Sequence, residues 1–128
     1  MDKLENNAYF WQKIDTLFLS NSFELTKKKG EAHLEFPNLI YPVDYGYLKD
    51  TLAYSKGVKV FRGSLKKGSV QAVVVVADIL KKDVEAKILV GCTESEETNI
   101  LYFLNQTDLQ KSVLIRRDTI IPIWGETE

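Results

Sequence analysis

The sequence predicts a mainly β, α+β domain in which a small β-barrel is flanked by a helix near each end. Three observations lead to this prediction. Short apolar segments typical of strands recur, with turns rich in glycine and lysine between them. Apolar residues at helical spacing occur near the start of the chain, and a capping sequence opens a second helix later. The sequence has no internal repeat, linker or low-complexity segment, so we expect residues 1–128 to form one domain.

Composition and charge exclude several classes of protein. The chain has 128 residues, of which 45% are hydrophobic and 27% are charged, so it can bury one core. Its net charge of −1 is not the basic balance of a protein that binds nucleic acid or an anionic membrane, and we expect neither partner. The single cysteine, Cys92, cannot form an internal disulfide, and the charged N-terminus is not typical of a secretory signal. We therefore expect a cytoplasmic protein.

Helical spacing predicts two helices. In residues 7–19 the apolar side chains recur on one face, and an asparagine is available to cap the start. The side chains of that face are Phe10, Trp11, Ile14, Leu17 and Phe18. A second helix follows the capping-box sequence Thr-Glu-Ser-Glu at residues 93–96, and we expect it to end at Asp108 and Leu109. Its predicted buried side consists of Ile100, Leu101, Phe103 and Leu104.

Strand patterns account for most of the remaining apolar residues. The predicted strands are Phe23 with Leu25 and residues 56–62, 69–80, 87–92, 113–115 and 120–121. The four consecutive valines at residues 73–76 suit a strand that is covered on both faces. Alternation in residues 56–62 places Lys59 and Phe61 on the same face. Residues 81–85 are predicted to form a polar hairpin loop.

Residues 36–51 form a tyrosine stretch that contains two prolines and three tyrosines. Pro37 and Pro42 exclude a helix here, and Gly46 permits a tight bend. Tyrosine combines an apolar ring with a hydroxyl that donates and accepts hydrogen bonds. The stretch is therefore either a tyrosine corner between strands or a rigid wall of a polar ligand site.

The tyrosine stretch resembles a known family. The heptapeptide Tyr-Pro-Val-Asp-Tyr-Gly-Tyr at residues 41–47 is similar to the tyrosine-rich motif of the soluble, magnesium-dependent (family I) inorganic pyrophosphatases. Residues 10–15, the spacing Lys29-Gly30-x-x-His33, and residues 80–90 and 100–110 resemble further parts of a short bacterial branch of that family. The resemblance implies a five-stranded, OB-like barrel with an N-terminal and a C-terminal helix packed on it. It also implies hydrolysis of pyrophosphate with the help of Mg²⁺.

The sequence departs from the family where the catalytic metals would bind. The family has a cluster of aspartates just after the tyrosine motif, since Mg²⁺ prefers carboxylate and water oxygens. Here the matching positions are Ser55, Gly57 and Val60 in one register, or Tyr54, Lys56 and Lys59 in the register that aligns the valines better. No carboxylate remains in either register. A phosphate-binding Tyr-Lys pair of the family is replaced by Gln106 and Thr107, and His33 stands where long members have an arginine.

The candidate site consists of the residues that match the family's site and of two lysines at the lost aspartate positions. For phosphate these are Lys29, His33, Tyr41, Tyr45, Lys56, Lys59 and Lys87. Asp83 and Glu85 are a residual carboxylate pair that could hold one metal ion weakly, so we do not expect tight binding of the Mg²⁺ that the resemblance implies. Two ammonium groups at Lys56 and Lys59 could replace the lost cations and bind phosphate directly. Alternatively, both lysines face water beside Asp44 or Asp50.

Three functions therefore remain open. The leading hypothesis is a degenerate pyrophosphatase-like protein that is inactive or very weak in hydrolysis and retains a pocket for phosphate or diphosphate. One alternative is an active magnesium-dependent inorganic diphosphatase. Another is an OB-like module that binds a protein partner, and for this chain we also expect a homo-oligomer.

Overall fold

The structure is a computed structural model that describes residues 6–53 and 56–117. Its elements in chain order are α1 (Ala8–Leu19), β1 (Phe23–Lys27), β2 (Asp44–Leu48), β3 (Lys59–Arg62), β4 (Val70–Asp78), β5 (Asp83–Val90), α2 (Glu94–Leu104) and β6 (Gln110–Arg116). The predicted mixture of strands and two helices is confirmed, whereas the predicted strand at residues 120–121 lies outside the described residues. No helix in the described part of the chain is long and apolar enough to cross a membrane.

The strands form one six-stranded sheet in the order β1-β2-β3-β5-β4-β6. Strands β3 and β5 are parallel, and the other neighbouring pairs are antiparallel. The predicted five-stranded, OB-like barrel is therefore wrong. A barrel closes only when its first and last strands pair. Here β6 pairs with β4 and β1 pairs with β2, so β1 and β6 form the opposite edges of an open sheet within the described residues.

The sheet has a hydrophobic core on each face. One core includes Phe61, Val74 and Val76 and lies against α2. The other includes Val73 and packs against Trp11 and Phe18 of α1. The valine run is therefore covered on both faces, as predicted, because successive side chains of a strand point to opposite faces.

Both helices begin at the predicted caps. The side chain of Asn7 accepts a hydrogen bond from Phe10 N, and Thr93 and Glu96 form the reciprocal capping box. The second helix ends at Leu104 rather than at Asp108 and Leu109. Asn105 explains this early end, because its side chain donates to the carbonyl oxygen of Leu101 and accepts from Ser112 N, which turns the chain into β6.

The tyrosine stretch is a loop that leads into β2, so Tyr45 lies within a strand and not at a corner. The tight bend that the sequence predicted at Gly46 is not formed. Gly46 lies in β2 beside β1, where an added Cβ atom would overlap the backbone carbonyl oxygen of Glu24. Gly46 is therefore required for the close approach of two strands.

The hairpin between β4 and β5 is shorter than predicted. Strand β5 begins at Asp83, so the second half of the predicted loop at residues 81–85 belongs to a strand. Lys82 adopts the left-handed conformation with φ of 56°. The carboxylate of Asp78 accepts hydrogen bonds from the backbone N–H groups of Leu80 and Lys81. These bonds close a tight turn and leave Asp83 and Glu85 two residues apart on one face of β5.

A buried ion pair joins the end of the described chain to α1. The guanidinium of Arg117 donates to both carboxylate oxygens of Asp15, at 2.9 and 3.0 Å. The same carboxylate accepts from Val70 N, and Arg117 also donates to the carbonyl oxygen of Val70. The pair therefore ties α1, the start of β4 and the end of β6 together.

Candidate functional site

The tyrosine cleft is an open cavity of about 200 Å³ on the face of the sheet that carries α2. The loop before β2, the β4–β5 hairpin and the end of α2 surround it. The lining residues that matter for binding are His33, Phe36, Tyr41, Tyr45, Lys81 and Lys87. Of the predicted phosphate contacts, the structure thus brings together His33, Tyr41, Tyr45 and Lys87.

Aromatic rings form one wall of the tyrosine cleft. Tyr41 lies at the centre, with its ring centroid 5.3 Å from that of Tyr45 and 4.7 Å from that of Phe103. The imidazole of His33 is nearly parallel to Tyr41, with the ring centroids 6.1 Å apart. Phe61 supports Tyr45 from below at 4.7 Å. Such offset and tilted ring pairs are mutually stabilising, so the wall is rigid.

Lys87 supplies a positive charge at the base of the cleft. Its ammonium donates to Tyr45 Oη at 2.5 Å and lies 3.0 Å from Glu85 Oε1. Burial, followed by the negative charge of Glu85, raises the pKa of Tyr45, so this phenol keeps its proton at neutral pH. An ammonium group has three N–H donors, and Tyr45 and Glu85 account for two of them. One donor therefore has no acceptor among the described residues.

His33 is held in one tautomer at the mouth of the cleft. Its Nδ1 accepts hydrogen bonds from the backbone N–H groups of Glu35 and Phe36, at 3.0 and 3.3 Å. Burial lowers the pKa of His33; Glu35 opposes this effect, and nearby lysines, first of all Lys81, add to it. The neutral imidazole with an acceptor at Nδ1 carries its proton on Nε2, which makes His33 a hydrogen-bond donor.

Lys29 lies outside the tyrosine cleft. It lines a separate cavity of about 150 Å³ together with Asp44, Arg62 and Glu96. Its backbone N–H donates to the carboxylate of Asp44. Lys29 precedes the tyrosine stretch in sequence, yet it lines a different cavity from the tyrosines.

Lys56 and Lys59 also do not line the tyrosine cleft. The ammonium of Lys59 donates to the backbone carbonyl oxygens of Lys56 and Gly57, and it lies 5.8 Å from the centre of the Tyr47 ring. Burial lowers the pKa of Lys59; Glu85 opposes this effect. Lys59 shares its sheet face with Phe61, as predicted, and it is the cross-strand neighbour of Lys87. It thus lies on the same strand as Phe61 but does not reach the cleft, while Lys56 is exposed.

Asp83 and Glu85 line a small cavity of about 50 Å³ that adjoins the tyrosine cleft. Glu85 is paired with Lys87, so one of the two carboxylates already has a cation beside it. In the described residues no group of three or more His, Cys, Asp or Glu side chains is arranged to hold a metal ion.

Several lining residues were missed by sequence reasoning. Phe103 was assigned to the core side of α2, and it does pack there, but it also faces the cleft. Lys81 carries a charge at the rim, although its position in a polar turn is typical of a solvated lysine. Gln106 and Thr107, which replace the phosphate-binding pair of the family, do line the cleft. In the sequence, these residues look like ordinary core and surface positions. Only the folded structure shows that they lie beside the tyrosines.

Comparisons with known proteins leave the family open. The sequence matches no protein-family model and no curated protein. A crystal structure of an inorganic phosphatase from Anaplasma phagocytophilum is similar, with 17% sequence identity, a TM-score of 0.45, and coverage of 75% of this chain and 74% of that chain. A likeness at this level decides neither the fold nor the function of the chain.

Proposed function

We propose that the tyrosine cleft binds a phosphate-bearing anion, and that the chain does not hydrolyse pyrophosphate by the magnesium-dependent route of the family that it resembles. The observation that carries the proposal is the position of Lys87. Its ammonium is fixed at the base of the cleft by Tyr45 and Glu85 and retains one N–H donor. A hydrogen bond between an ammonium and a phosphate oxygen is about twice as strong as one between neutral groups.

Two neutral donors stand near this charge. Tyr45 accepts from Lys87, so its own O–H remains able to donate. His33 offers Nε2–H from the mouth of the cleft, because Nδ1 accepts from the backbone. Lys81 adds a second ammonium at the rim. Together, these groups offer neutral and charged donors to an oxyanion within one cavity.

The proposed lack of magnesium-dependent hydrolysis rests on the aspartate positions. Hydrolysis by that route needs two or more metal ions to neutralise pyrophosphate and to generate hydroxide near neutral pH. Lys59 occupies one matching position, and its ammonium is held by two backbone carbonyl oxygens. A cation at this place repels Mg²⁺.

Calorimetric titration of the full chain with inorganic phosphate and with pyrophosphate, each with and without Mg²⁺, tests the proposal. We expect binding that does not require Mg²⁺ and falls about tenfold or more in Lys87→Met, because a hydrogen bond to a charged group is lost. Lys111→Met is the matched control, since Lys111 is an exposed lysine of β6 outside the cleft. Absence of heat for both anions under both conditions would refute anion binding. Steady Mg²⁺-dependent phosphate release above a mock-purified control would refute the lack of hydrolysis.

A charge-reversal variant tests the assignment of the aspartate positions. Lys56→Asp/Lys59→Asp would place two carboxylates where the register predicts metal ligands. We expect this variant to bind Mg²⁺ more tightly than the parent. Equal affinity for Mg²⁺ would argue against the chosen register.

A second candidate function is binding of a protein partner, including another copy of the chain. It is favoured by Tyr9, which is 66% exposed on α1, and by the adjacent, half-exposed Phe10. Strand β6 also presents an edge that no described strand covers. Light scattering beside the titrations separates the two functions: a stable oligomer that binds neither anion would favour partner binding.

A further inference from the structure

We infer that the ligand of the tyrosine cleft is a phosphate monoester with one planar aromatic ring, and not a purely inorganic anion; this inference rests on the proposed binding of phosphate. The ring would lie against the aromatic side chains and the phosphate would point to Lys87 at the base. The inference follows from the apolar lining of the cleft, its volume and its charge balance.

Exposed apolar side chains line the cleft beside its polar groups. Phe36 is 38% exposed, Leu109 41% and Leu80 60%, and all three line the same cavity. A hydrated inorganic phosphate gains nothing from such surface, whereas an aromatic ring removes it from water. The ring centroid of Phe36 lies 5.4 Å from that of His33, so these two side chains form a continuous aromatic rim.

The volume suits one ring with its phosphate. The cavity measures about 200 Å³ and is open on one side. A closed cavity of about 150 Å³ accommodates a benzene ring in another protein. A single ring therefore fits inside with its phosphate directed to the polar base, whereas a dinucleotide is too large.

The charges of the cleft disfavour an anion of high charge. Lys81 and Lys87 are the lysines that line it, and the carboxylates of Glu35 and Asp78 line it as well. Glu85 also offsets Lys87. Lys29 and Lys59, which could have added two charges, lie elsewhere. Because this lining has no excess of positive charge among the described residues, it opposes the roughly four charges of pyrophosphate more strongly than the charges of a monoester, which number about two at most.

Four small probes separate the contributions of ring and phosphate in calorimetric titrations of the full chain. They are inorganic phosphate, methyl phosphate, phenyl phosphate and phenol. We expect the affinity for phenyl phosphate to be at least about tenfold higher than that for methyl phosphate, because stacking on aromatic side chains adds to the polar contacts. Phenol, which lacks the phosphate, should bind more weakly than phenyl phosphate.

A variant at the rim tests where the ring lies. Phe36→Ala should lower the affinity for phenyl phosphate about fivefold to tenfold more than the affinity for methyl phosphate, because it removes part of the aromatic rim. Phe10→Ala is the control, since Phe10 is a half-exposed phenylalanine on α1 that does not line the cleft. It should leave the ratio of the two affinities unchanged.

The outcomes separate this inference from the proposed function. Equal affinities for phenyl and methyl phosphate, with both binding, would refute the aromatic ligand and leave phosphate binding intact. No binding of any phosphate would refute both. A blocked phosphotyrosine then distinguishes two sources of the aryl phosphate. Binding as tight as that of phenyl phosphate would indicate a phosphorylated protein side chain, and weaker binding would indicate a small molecule. Both results support an aryl phosphate as the ligand.

Discussion

The buried pair of Asp15 and Arg117 provides the sharpest test of what stabilises the fold. Asp15 is 0% exposed and accepts from Arg117 and from Val70 N. Arg117→Met removes the partner charge but keeps an unbranched apolar stem beside Trp11, whose ring centre lies 5.7 Å from the guanidinium carbon. Removal of one partner of a buried pair costs about 3–5 kcal/mol, because the other charge stays buried and uncompensated.

The expected effect is large for a domain of this size. A loss of about 3–5 kcal/mol corresponds to a fall in Tm of about 10–20 °C. Urea unfolding followed by far-ultraviolet circular dichroism gives the free energy of unfolding, and a thermal scan gives Tm. The control is Lys111→Ala, which breaks the exposed pair with Asp108 at 3.9 Å and should cost about 1 kcal/mol or less.

A double variant isolates the physical reason. Asp15→Asn/Arg117→Met removes both charges, while the amide oxygen of the new asparagine can still accept from Val70 N. We expect it to recover more than half of the stability that Arg117→Met loses, since no charge remains buried. The reasoning would be refuted if Arg117→Met were no more destabilising than the Lys111 control, or if the double variant were less stable than Arg117→Met alone.

Three further predictions follow from individual residues. Gly46→Ala should lower the free energy of unfolding by about 3 kcal/mol or more, because the new methyl group overlaps Glu24 of the neighbouring strand. Gly30→Ala is the control: its methyl group meets no atom within 4 Å, so only the φ of 94° should lower the free energy of unfolding, by about 1 kcal/mol. The pKa of His33 is lowered in the folded state, so the unfolded chain binds more protons than the folded chain at a pH between the two pKa values. The free energy of unfolding should therefore fall as the pH drops below about 6.5. His33→Gln should make the free energy of unfolding depend less on pH in this range, and an unchanged slope would contradict the lowered pKa of His33. Burial, reinforced by nearby glutamates, raises the pKa of Cys92 to about 12, so the thiol should react with a disulfide reagent at pH 8 only after unfolding; rapid reaction of the native protein would contradict its burial.

The sequence predicted the local elements well, because their signals are local. The capping box at Thr93 and the asparagine cap at Asn7 involve residues three positions apart, and both are present. The valine run indicated a strand covered on both faces, since four consecutive β-branched residues cannot keep one face polar. Strand β2 was not assigned, because prolines and tyrosines obscured its alternation.

The candidate site was predicted in part. Tyr41, Tyr45, His33 and Lys87 line one cleft, and the sequence had left open whether the tyrosine stretch forms a corner between strands or the wall of a ligand site. The stretch did not reveal that Lys29 lies in another cavity. Nor did it reveal that Phe103 and Lys81 complete the cleft.

By itself, the sequence determined both helices, most of the strands and the presence of a buried core. These properties depend on residue type and on spacing within a few positions. Only the tertiary structure decided that the sheet is open and which lysines share a cavity. The parallel pairing of β3 with β5 places Lys87 beside Lys59, 28 positions away in sequence, yet only Lys87 reaches Tyr45. Such a contact depends on strand order and register, which arise from long-range packing that no short stretch of sequence encodes.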